Sequence, residues 1–230
     1  MKAAIMQPYL MPYIGYFQLI NSVDVFVVYD DVNFIKKGWV NRNNILVNGK
    51  AHLFSAALKD ASQNKRINEI ELDTVWKKDF LKTISLSYKK APFFETVFPV
   101  LENIINHEEK NLARFITNSL REICHYLSIE TKILVSSEIE KDNNLKGSDK
   151  IIEICKRIGA RQYTNAIGGM ELYDAKTFEN DGIWLHFIKS KPIVYAQFKN
   201  EFIPWLSIID VMLFNSPSEI KKMLDQYELL

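Results

Sequence analysis

Short apolar runs alternate with longer stretches of helical periodicity along this chain. The runs MKAAIM, DVFVV, TKILV and GIWLHFI are apolar at nearly every position instead of at every second one. Runs of this kind are typical of strands buried on both faces, as in a parallel sheet that helices cover on both sides. The alternation of such strands with helices predicts an α/β fold, with a Rossmann-like, mostly parallel sheet core and a largely helical middle and C-terminal region.

The first strand, the first helix and the second strand form one predicted βαβ unit with an unusual connection. The segment MQPYLMPYIGYFQLI carries two prolines, three tyrosines and a glycine between the strand and the helix. Proline donates no backbone hydrogen bond and restricts the residue before it, so the strand ends there in a rigid elbow. Functional side chains of parallel sheets gather at the carboxyl ends of the strands. The residues expected close together at that edge are Gln7, Tyr9, Asp30 and Asp31.

The chain that follows predicts a hairpin and then a helical region. Asn48-Gly49 is a favourable two-residue turn between two strands. The segments after it repeat apolar residues at helical spacing. No internal repeat or long linker interrupts the sequence. We therefore expect a single domain over residues 1–230, with a helical lobe around residues 74–130.

Capping signals place two later helices. The segment GSDKIIEICKRIGA predicts a helix with Ser148 as its N-cap and Gly159 at its C-terminal end. The last helix is expected to begin near Ser216 or Ser218, because serine favours the N-cap position.

Composition and charge exclude several classes of protein. Lys and Arg number 29 and Asp and Glu number 28, so the chain lacks the basic excess of an obligate DNA-binding protein. Its apolar stretches fall short of the 18 or so residues that span a membrane, so we expect no membrane insertion. Cys124 and Cys155 have neither metal-site nor disulfide spacing, which predicts no metal and a reducing, cytoplasmic location. Cys155 falls in a core-like helix, where packing is favoured over nucleophilic chemistry.

The elbow itself is a candidate nucleotide site. Tyr13-Ile14-Gly15-Tyr16 occupies the place where nucleotidyltransferases of the HIGH type carry a His-x-Gly-His signature, whose glycine lets a nucleotide approach a helix start. Tyrosine carries no positive charge at neutral pH, so an adenylate-forming reaction, which would use ATP and Mg²⁺, lacks its usual histidines. The alternative is that the aromatic residues pack a tight turn.

The segment YDDVNFIKKGWVNRNNI combines acids, bases and an aromatic residue after the second strand. Asp30 or Asp31 is a candidate general base for an amine or a hydroxyl. Lys36 and Arg42 are candidates for binding phosphate, and Trp39 for stacking on a base or a sugar. The alternative is a structural network in which the carboxylates pair with the basic residues.

Two further segments carry polar residues in unusual places. In the segment YTNAIGGMELY, a predicted helix start follows Asn165, Gly168 and Gly169. These residues are candidates for presenting hydrogen-bond donors to a phosphate or a carboxylate. The alternative is helix capping, which is the commoner cause of such a turn. Ser207 and Asp210 lie in an otherwise apolar segment, where capping or buried hydrogen bonding is favoured over a place in the site.

Three blocks of this sequence resemble the WbqC-like family. They are QPYLMPYIGYFQLINSVDVFVVYDDVNFIKKGWVNRNNI, LKGSDKIIEICKRIGARQYTNAIGGMELY and FIPWLSIIDVMLFNS, which occur in the family's order and together span nearly the whole chain. The positions that match the family's pattern are Gln7, Tyr9, Pro12, Gly15, Tyr16, Asp30, Asp31, Arg42, Asn43, Tyr163, Gly168, Gly169, Tyr173, Gln197, Ser207 and Asp210.

The resemblance implies an enzyme of bacterial surface-glycan precursor biosynthesis, such as that of the O-antigen of lipopolysaccharide. The expected reaction is transfer of an acyl or aminoacyl group to the amino group of a nucleotide-linked amino sugar, without an assigned cofactor or donor. A non-catalytic sugar-nucleotide binding protein and the adenylate-forming enzyme are the alternatives, and a homodimer is left open. With Asp30 and Asp31 as the candidate base, the expected substrate-binding residues are Gln7, Tyr9, Tyr13, Gly15, Tyr16, Lys36, Trp39, Arg42, Asn43, Tyr163, Asn165, Gly168, Gly169 and Tyr173.

Overall fold

The computed structural model describes residues 1–199 and 201–230. The strands are β1 (Lys2–Met6), β2 (Val25–Val28), β3 (Arg42–Val47), β4 (Lys50–Ser55), β5 (Leu58–Lys59), β6 (Glu71–Leu72), β7 (Lys132–Val135), β8 (Gln162–Ala166), β9 (Trp184–Ser190) and β10 (Tyr227–Leu229). The helices are α1 (Ile14–Asn21), α2 (Trp76–Tyr88), α3 (Phe94–Asn106), α4 (Leu112–Tyr126), α5 (Gly147–Ile158), α6 (Ala175–Asn180), α7 (Ile208–Phe214) and α8 (Pro217–Leu224).

A mostly parallel sheet forms the centre of the fold. Its strand order is β10-β9-β8-β1-β2-β7, and every neighbouring pair is parallel except β9 with β10. All four residues of β2 are buried, because helices cover both faces of the sheet. The predicted Rossmann-like α/β class is therefore confirmed. The short antiparallel strand β10 had no signal in the hydrophobic pattern, since only three residues form it.

The predicted hairpin is present and stands apart from the central sheet. Strands β3 and β4 pair with each other as a separate antiparallel ribbon. Asn48 and Gly49 both have positive φ, 50° and 71°, which is the backbone twist that a two-residue hairpin turn requires. The helical region beyond it comprises α2, α3 and α4, and the ring of Phe54 on β4 packs 4.5 Å from the ring of Phe80 on α2.

The capping predictions were largely right. Gly159 ends α5 in the left-handed conformation, with φ of 75°, and Ser216 caps α8 together with Glu219. The prediction for Ser148 was wrong, because the N-cap of α5 is Lys146, two residues earlier, and the helix begins at Gly147. None of the helices in the described part of the chain is long and apolar enough to cross a membrane.

Both cysteines are packing residues in the structure. Cys124 and Cys155 are buried within the two hydrophobic cores that flank the sheet. Burial raises the pKa of each thiol to about 12, so both remain protonated at neutral pH.

Candidate functional site

The elbow between β1 and α1 is fixed by the elements around it. The side-chain amide of Asn43 on β3 donates to the carbonyl oxygens of Leu10 and Met11, at 3.2 and 2.9 Å. Ser207, the N-cap of α7, donates to the same Met11 carbonyl at 2.6 Å. Met11 has a φ of 46°, which is rare for a residue with a side chain. Asn43 and Ser207 therefore hold a tight turn in place, and the predicted capping role of Ser207 is confirmed.

Tyr16 and Gly15 shape the start of α1. The Tyr16 hydroxyl donates to the Gln7 carbonyl at 2.8 Å, and only 2 % of this residue is exposed. A Cβ atom at Gly15 would lie 2.3 Å from the Tyr13 ring and 2.6 Å from Ser190 Oγ, so a larger residue there would force these side chains to move. Both residues thus serve the packing of the elbow.

A pocket of about 370 Å³ opens at the carboxyl ends of β1, β2 and β8. We call it the tyrosine pocket. It lies where parallel sheets usually bind ligands. Its lining is uncharged and consists of Ile5, Met6, Gln7, Tyr9, Tyr29, Asn165, Ala166, Gly168, Gly169, Leu172 and Tyr173. The structure thus brings six of the predicted binding residues together, namely Gln7, Tyr9, Asn165, Gly168, Gly169 and Tyr173.

The side chain of Asn165 is positioned at the pocket wall by the backbone amide of the next residue, and Gly169 leaves room for it. Its Oδ1 accepts a hydrogen bond from the Ala166 amide at 2.8 Å, while its Nδ2 donates to no acceptor among the described residues. A Cβ atom at Gly169 would lie 2.4 Å from that nitrogen, whereas one at Gly168 would meet nothing within 4 Å. Gly169 therefore makes room for the Asn165 amide, which keeps its donors for a ligand.

Three phenols of the pocket remain neutral. Burial raises the pKa of Tyr9, Tyr29 and Tyr173, and the nearby negative charge of Asp31 raises that of Tyr29 further. Protonated phenols donate and accept hydrogen bonds and present an apolar ring face. The chemistry of this lining therefore suits a neutral, hydroxyl-rich ligand such as a sugar.

Asp31 lies close to Tyr29 of this pocket and belongs to a buried ion cluster. Its Oδ2 is 2.9 Å from Lys141 Nζ and 3.1 Å from Lys150 Nζ, and its Oδ1 accepts from the Ser136 hydroxyl at 2.7 Å. Burial alone would raise the pKa of Asp31, but the hydrogen bonds from Lys141, Ser136 and Lys150 outweigh burial and lower it. Lys150 Nζ also lies 5.1 Å from the ring centroid of Tyr29. The cluster thus supports a wall of the pocket.

Asp30 is held by hydrogen bonds at the same carboxyl edge of the sheet. Its carboxylate accepts from the Ser137 amide at 2.9 Å, the Ser137 hydroxyl at 2.6 Å and Asn68 Nδ2 at 3.3 Å. Neither Asp30 nor Asp31 lines the tyrosine pocket. These contacts are those of positioning residues, because each carboxylate is already fully engaged with the protein. The role of general base stays a prediction for both.

Lys36 and Trp39 lie on the loop before β3, Arg42 is the first residue of β3, and all three are outside the lining of the pocket. Arg42 Nε donates to the Gly38 carbonyl at 2.9 Å, its Nη2 donates to the Lys37 carbonyl, and its guanidinium lies 5.7 Å from the Trp39 ring centroid. Lys36 and Trp39 are exposed. Arg42 therefore stabilises the loop that precedes β3. Phosphate binding by Lys36 and Arg42 stays a prediction.

Tyr163 belongs to the core beside the pocket. It is fully buried on β8 and stacks on Phe178, with the ring centroids 5.5 Å apart. Tyr173 packs edge-on against the Tyr163 ring at 5.9 Å. Tyr163 thus supports Tyr173, which lines the pocket.

A third buried carboxylate, Asp210 on α7, accepts hydrogen bonds from neutral side chains. It accepts hydrogen bonds from Tyr88 at 2.8 Å, Tyr195 at 2.7 Å and Gln197 Nε2 at 2.8 Å. Burial raises its pKa, and these three donors offset only part of that effect. The predicted buried hydrogen bonding of Asp210 is confirmed.

Sequence reasoning missed several residues of these sites. Lys141 and Lys150 lie more than 100 residues from Asp31, and no local spacing relates them. Tyr29 directly precedes the predicted acidic pair but was not among the predicted site residues. Its position directly after β2 was the signal that places it at the carboxyl edge.

Together these features define an α/β protein with an uncharged, phenol-rich ligand pocket at the carboxyl edge of a parallel sheet. The chain belongs to the WbqC-like protein family, whose sequence pattern matches residues 7–222. It is 28 % identical, over 224 residues and 95 % of each chain, to the uncharacterized protein Rv1507c of Mycobacterium tuberculosis (strain ATCC 25618 / H37Rv). No solved structure matches the chain.

Proposed function

We propose that this protein is a transferase that acylates the amino group of a nucleotide-linked amino sugar, a precursor of a bacterial surface glycan, in the cytoplasm. The uncharged lining of the tyrosine pocket is the observation that carries the proposal. Amide groups of Gln7 and Asn165 suit sugar hydroxyls, and the phenol rings suit the apolar face of a hexose. Membership in the WbqC-like family supports the same assignment.

The pocket favours the reactive form of a sugar amine. A charged ammonium has no carboxylate to bind at this lining, because Asp30 and Asp31 are bonded inside the protein. Desolvation without a counter-charge lowers the pKa of an amine. The amine therefore binds as the neutral nucleophile, and its lone pair is free to attack.

The reaction exchanges one bond at the acyl carbon for another. The amine nitrogen attacks the carbonyl carbon of an activated acyl donor and forms the C–N bond. The bond between that carbon and the leaving group of the donor, which we call the carrier, breaks. The carrier leaves with the electron pair of that bond. The proton lost by the amine ends on the carrier. Backbone donors at Gly168 and Gly169 are the candidates for stabilising the tetrahedral oxyanion.

The pyrophosphate of the substrate requires cations, and none of the described residues that line the pocket carries a positive charge. A pocket of about 370 Å³ accommodates the sugar and leaves the nucleotide outside. Lys36 and Arg42 are the proposed phosphate ligands, and Trp39 is the proposed stacking partner for the base. In this arrangement the nucleotide would order the exposed loop before β3.

Thermal unfolding with and without ligands tests the proposal. A ligand that binds the native state raises the melting temperature by mass action. The panel contains UDP, dTDP, GDP and CDP, an amino-sugar derivative of each, and ATP with Mg²⁺. We expect a shift with an amino-sugar nucleotide that Asn165→Ala reduces and that Asn144→Ala, a change at an exposed loop asparagine, leaves unchanged. A shift with ATP and Mg²⁺ alone would contradict the proposal and favour adenylate formation.

Kinetics of Asp30→Asn and Asp31→Asn separate a base from a positioning residue. Loss of a general base lowers kcat by about 10² to 10⁴ and removes the corresponding limb of its pH profile. Loss of a positioning residue changes the stability of the protein and leaves the shape of the pH profile intact. Binding of the sugar nucleotide without turnover with any acyl donor would identify a binding protein instead of an enzyme.

A further inference from the structure

A second, larger cavity opens beside the carboxyl end of β9. Its volume is about 600 Å³, and it lies between the end of β9, the start of α1 and the irregular chain that follows β9. Much of its wall is apolar, with Ile14, Pro192, Ile193, Val194, Phe202 and Trp205. Cavities of this size and lining are typical of small-molecule sites. We call it the tryptophan cavity.

Trp205 is held in an unfavourable conformation at this cavity. Its φ is 63°, in a region that bulky residues rarely occupy. The side chain is 69 % exposed, and its ring packs edge-on against Tyr13 at 5.7 Å. A strained backbone that presents an exposed indole is a feature of functional sites, since folding alone gains little from it. A ligand in the cavity would cover the ring.

The polar groups of the cavity are fixed in advance. The Tyr195 hydroxyl donates a hydrogen bond to buried Asp210. This bond sets the position of the phenol in the cavity wall. Ser190, at the end of β9, hydrogen-bonds to the Tyr13 hydroxyl and partly offsets the rise that burial causes in the pKa of Tyr13. These bonds give the cavity a defined shape before any ligand binds.

The charges at the cavity favour an anion. Lys189, Lys191 and Glu228 line it, so that two cations oppose one carboxylate. Glu228 lies directly across from Lys189 in the pairing of β9 with β10. Lys191 forms no ion pair within the described chain. One positive charge is therefore available to a ligand.

The cavity lies next to the tyrosine pocket along the same sheet edge. Strand β9 is the immediate neighbour of β8, and adjacent strands are about 4.8 Å apart. The elbow contributes Tyr9 to the tyrosine pocket and Tyr13 to the tryptophan cavity. One rigid turn thus forms a wall of both sites.

We infer that the tryptophan cavity binds an apolar acyl group joined to an anionic end, with the chain against Trp205 and the anion at Lys191. The role of such a ligand as the acyl donor of the transfer proposed above rests on the proposed function. Its binding to the tryptophan cavity does not depend on that function. The adjacent positions of cavity and pocket would place donor and acceptor side by side at the elbow.

Fluorescence titration and calorimetry with octanoyl coenzyme A, octanoate and coenzyme A alone test the inference. We expect at least one octanoyl compound to bind, and coenzyme A alone to bind at least about tenfold more weakly than octanoyl coenzyme A. Removal of a central aromatic anchor commonly costs tenfold or more in affinity, so Trp205→Ala is expected to weaken binding by about that factor. Val194→Glu, at a lining residue that is 71 % exposed, is expected to weaken it too. Comparison of octanoate with octanoyl coenzyme A identifies the carrier.

Trp184→Ala is the matched control. Trp184 is 61 % exposed at the opposite end of β9, and its removal is expected to leave binding unchanged. Failure of both octanoyl compounds to bind, or equal binding to the wild type and Trp205→Ala, would overturn the inference. Parallel titration with the amino-sugar nucleotide keeps the two proposals apart. Sugar binding without acyl binding removes only the inference, and acyl binding without sugar binding removes only the proposed acceptor.

Discussion

Asp31 and Asp210 are two buried aspartates that the fold stabilises in opposite ways. Asp31 is bonded to two buried lysines, and its pKa is lowered. Asp210 is bonded to two phenols and an amide, has no ion-pair partner among the described residues, and its pKa is raised by burial. The comparison shows that burial alone does not set the direction in which the pKa of a carboxylate shifts. The charge of its hydrogen-bond partners decides that direction.

The two arrangements serve different neighbours. The Asp31 cluster connects the chain after β2 to the chain after β7 and to α5, and Lys150 of the cluster contacts Tyr29 in the wall of the tyrosine pocket. The Asp210 network ties α7 to α2 and to the wall of the tryptophan cavity, and Tyr88 also accepts the Leu46 amide of β3 at 2.6 Å. The Asp31 ion cluster thus stabilises a wall of the tyrosine pocket. Hydrogen bonds from neutral donors to Asp210 stabilise a wall of the tryptophan cavity.

The largest effect is expected from Asp31→Asn. This change leaves two buried lysines without a counter-charge, and breaking a buried ion pair costs about 3–5 kcal/mol of stability. Urea unfolding measures the loss. Asp181→Asn is the control, because it breaks an exposed pair with Lys156, and exposed pairs contribute about 1 kcal/mol or less. Equal losses for both variants would show that the Asp31 cluster is not a special feature of the fold.

A smaller loss is expected from Tyr88→Phe. Removal of the hydroxyl leaves the buried Leu46 amide without its acceptor and Asp210 without one donor, and each unsatisfied buried group costs about 1–3 kcal/mol. Tyr227→Phe, at a partly exposed phenol on β10, is expected to change the unfolding free energy little. If Tyr88→Phe is as stable as the wild type, the Asp210 network does not contribute to folding as described.

The smallest and most specific effect is a difference in pH dependence. The lowered pKa of Asp31 means that its stabilisation is present above about pH 4, near the unfolded value, and is lost as pH falls through the folded value. The raised pKa of Asp210 has the opposite sign, because stability falls as pH rises above about 4 until the folded carboxyl ionises.

Urea unfolding from pH 2.5 to 7 of the wild type, Asp31→Asn and Asp210→Asn measures both signs. The stability advantage of the wild type over Asp31→Asn should grow as pH rises, and its advantage over Asp210→Asn should shrink. Parallel curves for the two variants would refute the opposite directions of the two pKa shifts.

Local sequence signals predicted the framework of the fold well. The continuous apolar runs indicated the strands β1, β2, β7 and β9, and Asn48-Gly49 indicated the hairpin. The predicted burial holds for most of β1 and all of β2, whereas most residues of β7 and β9 are partly or fully exposed. Gly159 and Ser216 marked helix ends because their preferences act within a few residues. Such signals need no distant partner, which is why one sequence suffices to read them.

The candidate site was predicted in part. Gln7 and Tyr9 come shortly after β1, Asn165 lies near the end of β8, and the glycine pair comes shortly after it. The rule that ligands bind at the carboxyl ends of strands therefore located these residues. Asn43, Tyr16 and Tyr163 were assigned to substrate binding, and the structure places them in the packing of the elbow and the core. Polar and aromatic residue types fit either role, and only burial distinguishes the two.

The sequence by itself determined the order of strands and helices, the turns between them and the sheet edge at which polar side chains collect. Only the tertiary structure decided which carboxylate meets lysine and which meets phenol, because Asp31 and Lys150, or Tyr88 and Asp210, come together across more than 100 residues. The division of the elbow between two sites has the same origin. Short-range preferences set the local backbone, whereas the packing of the whole chain sets the partners of each buried polar group.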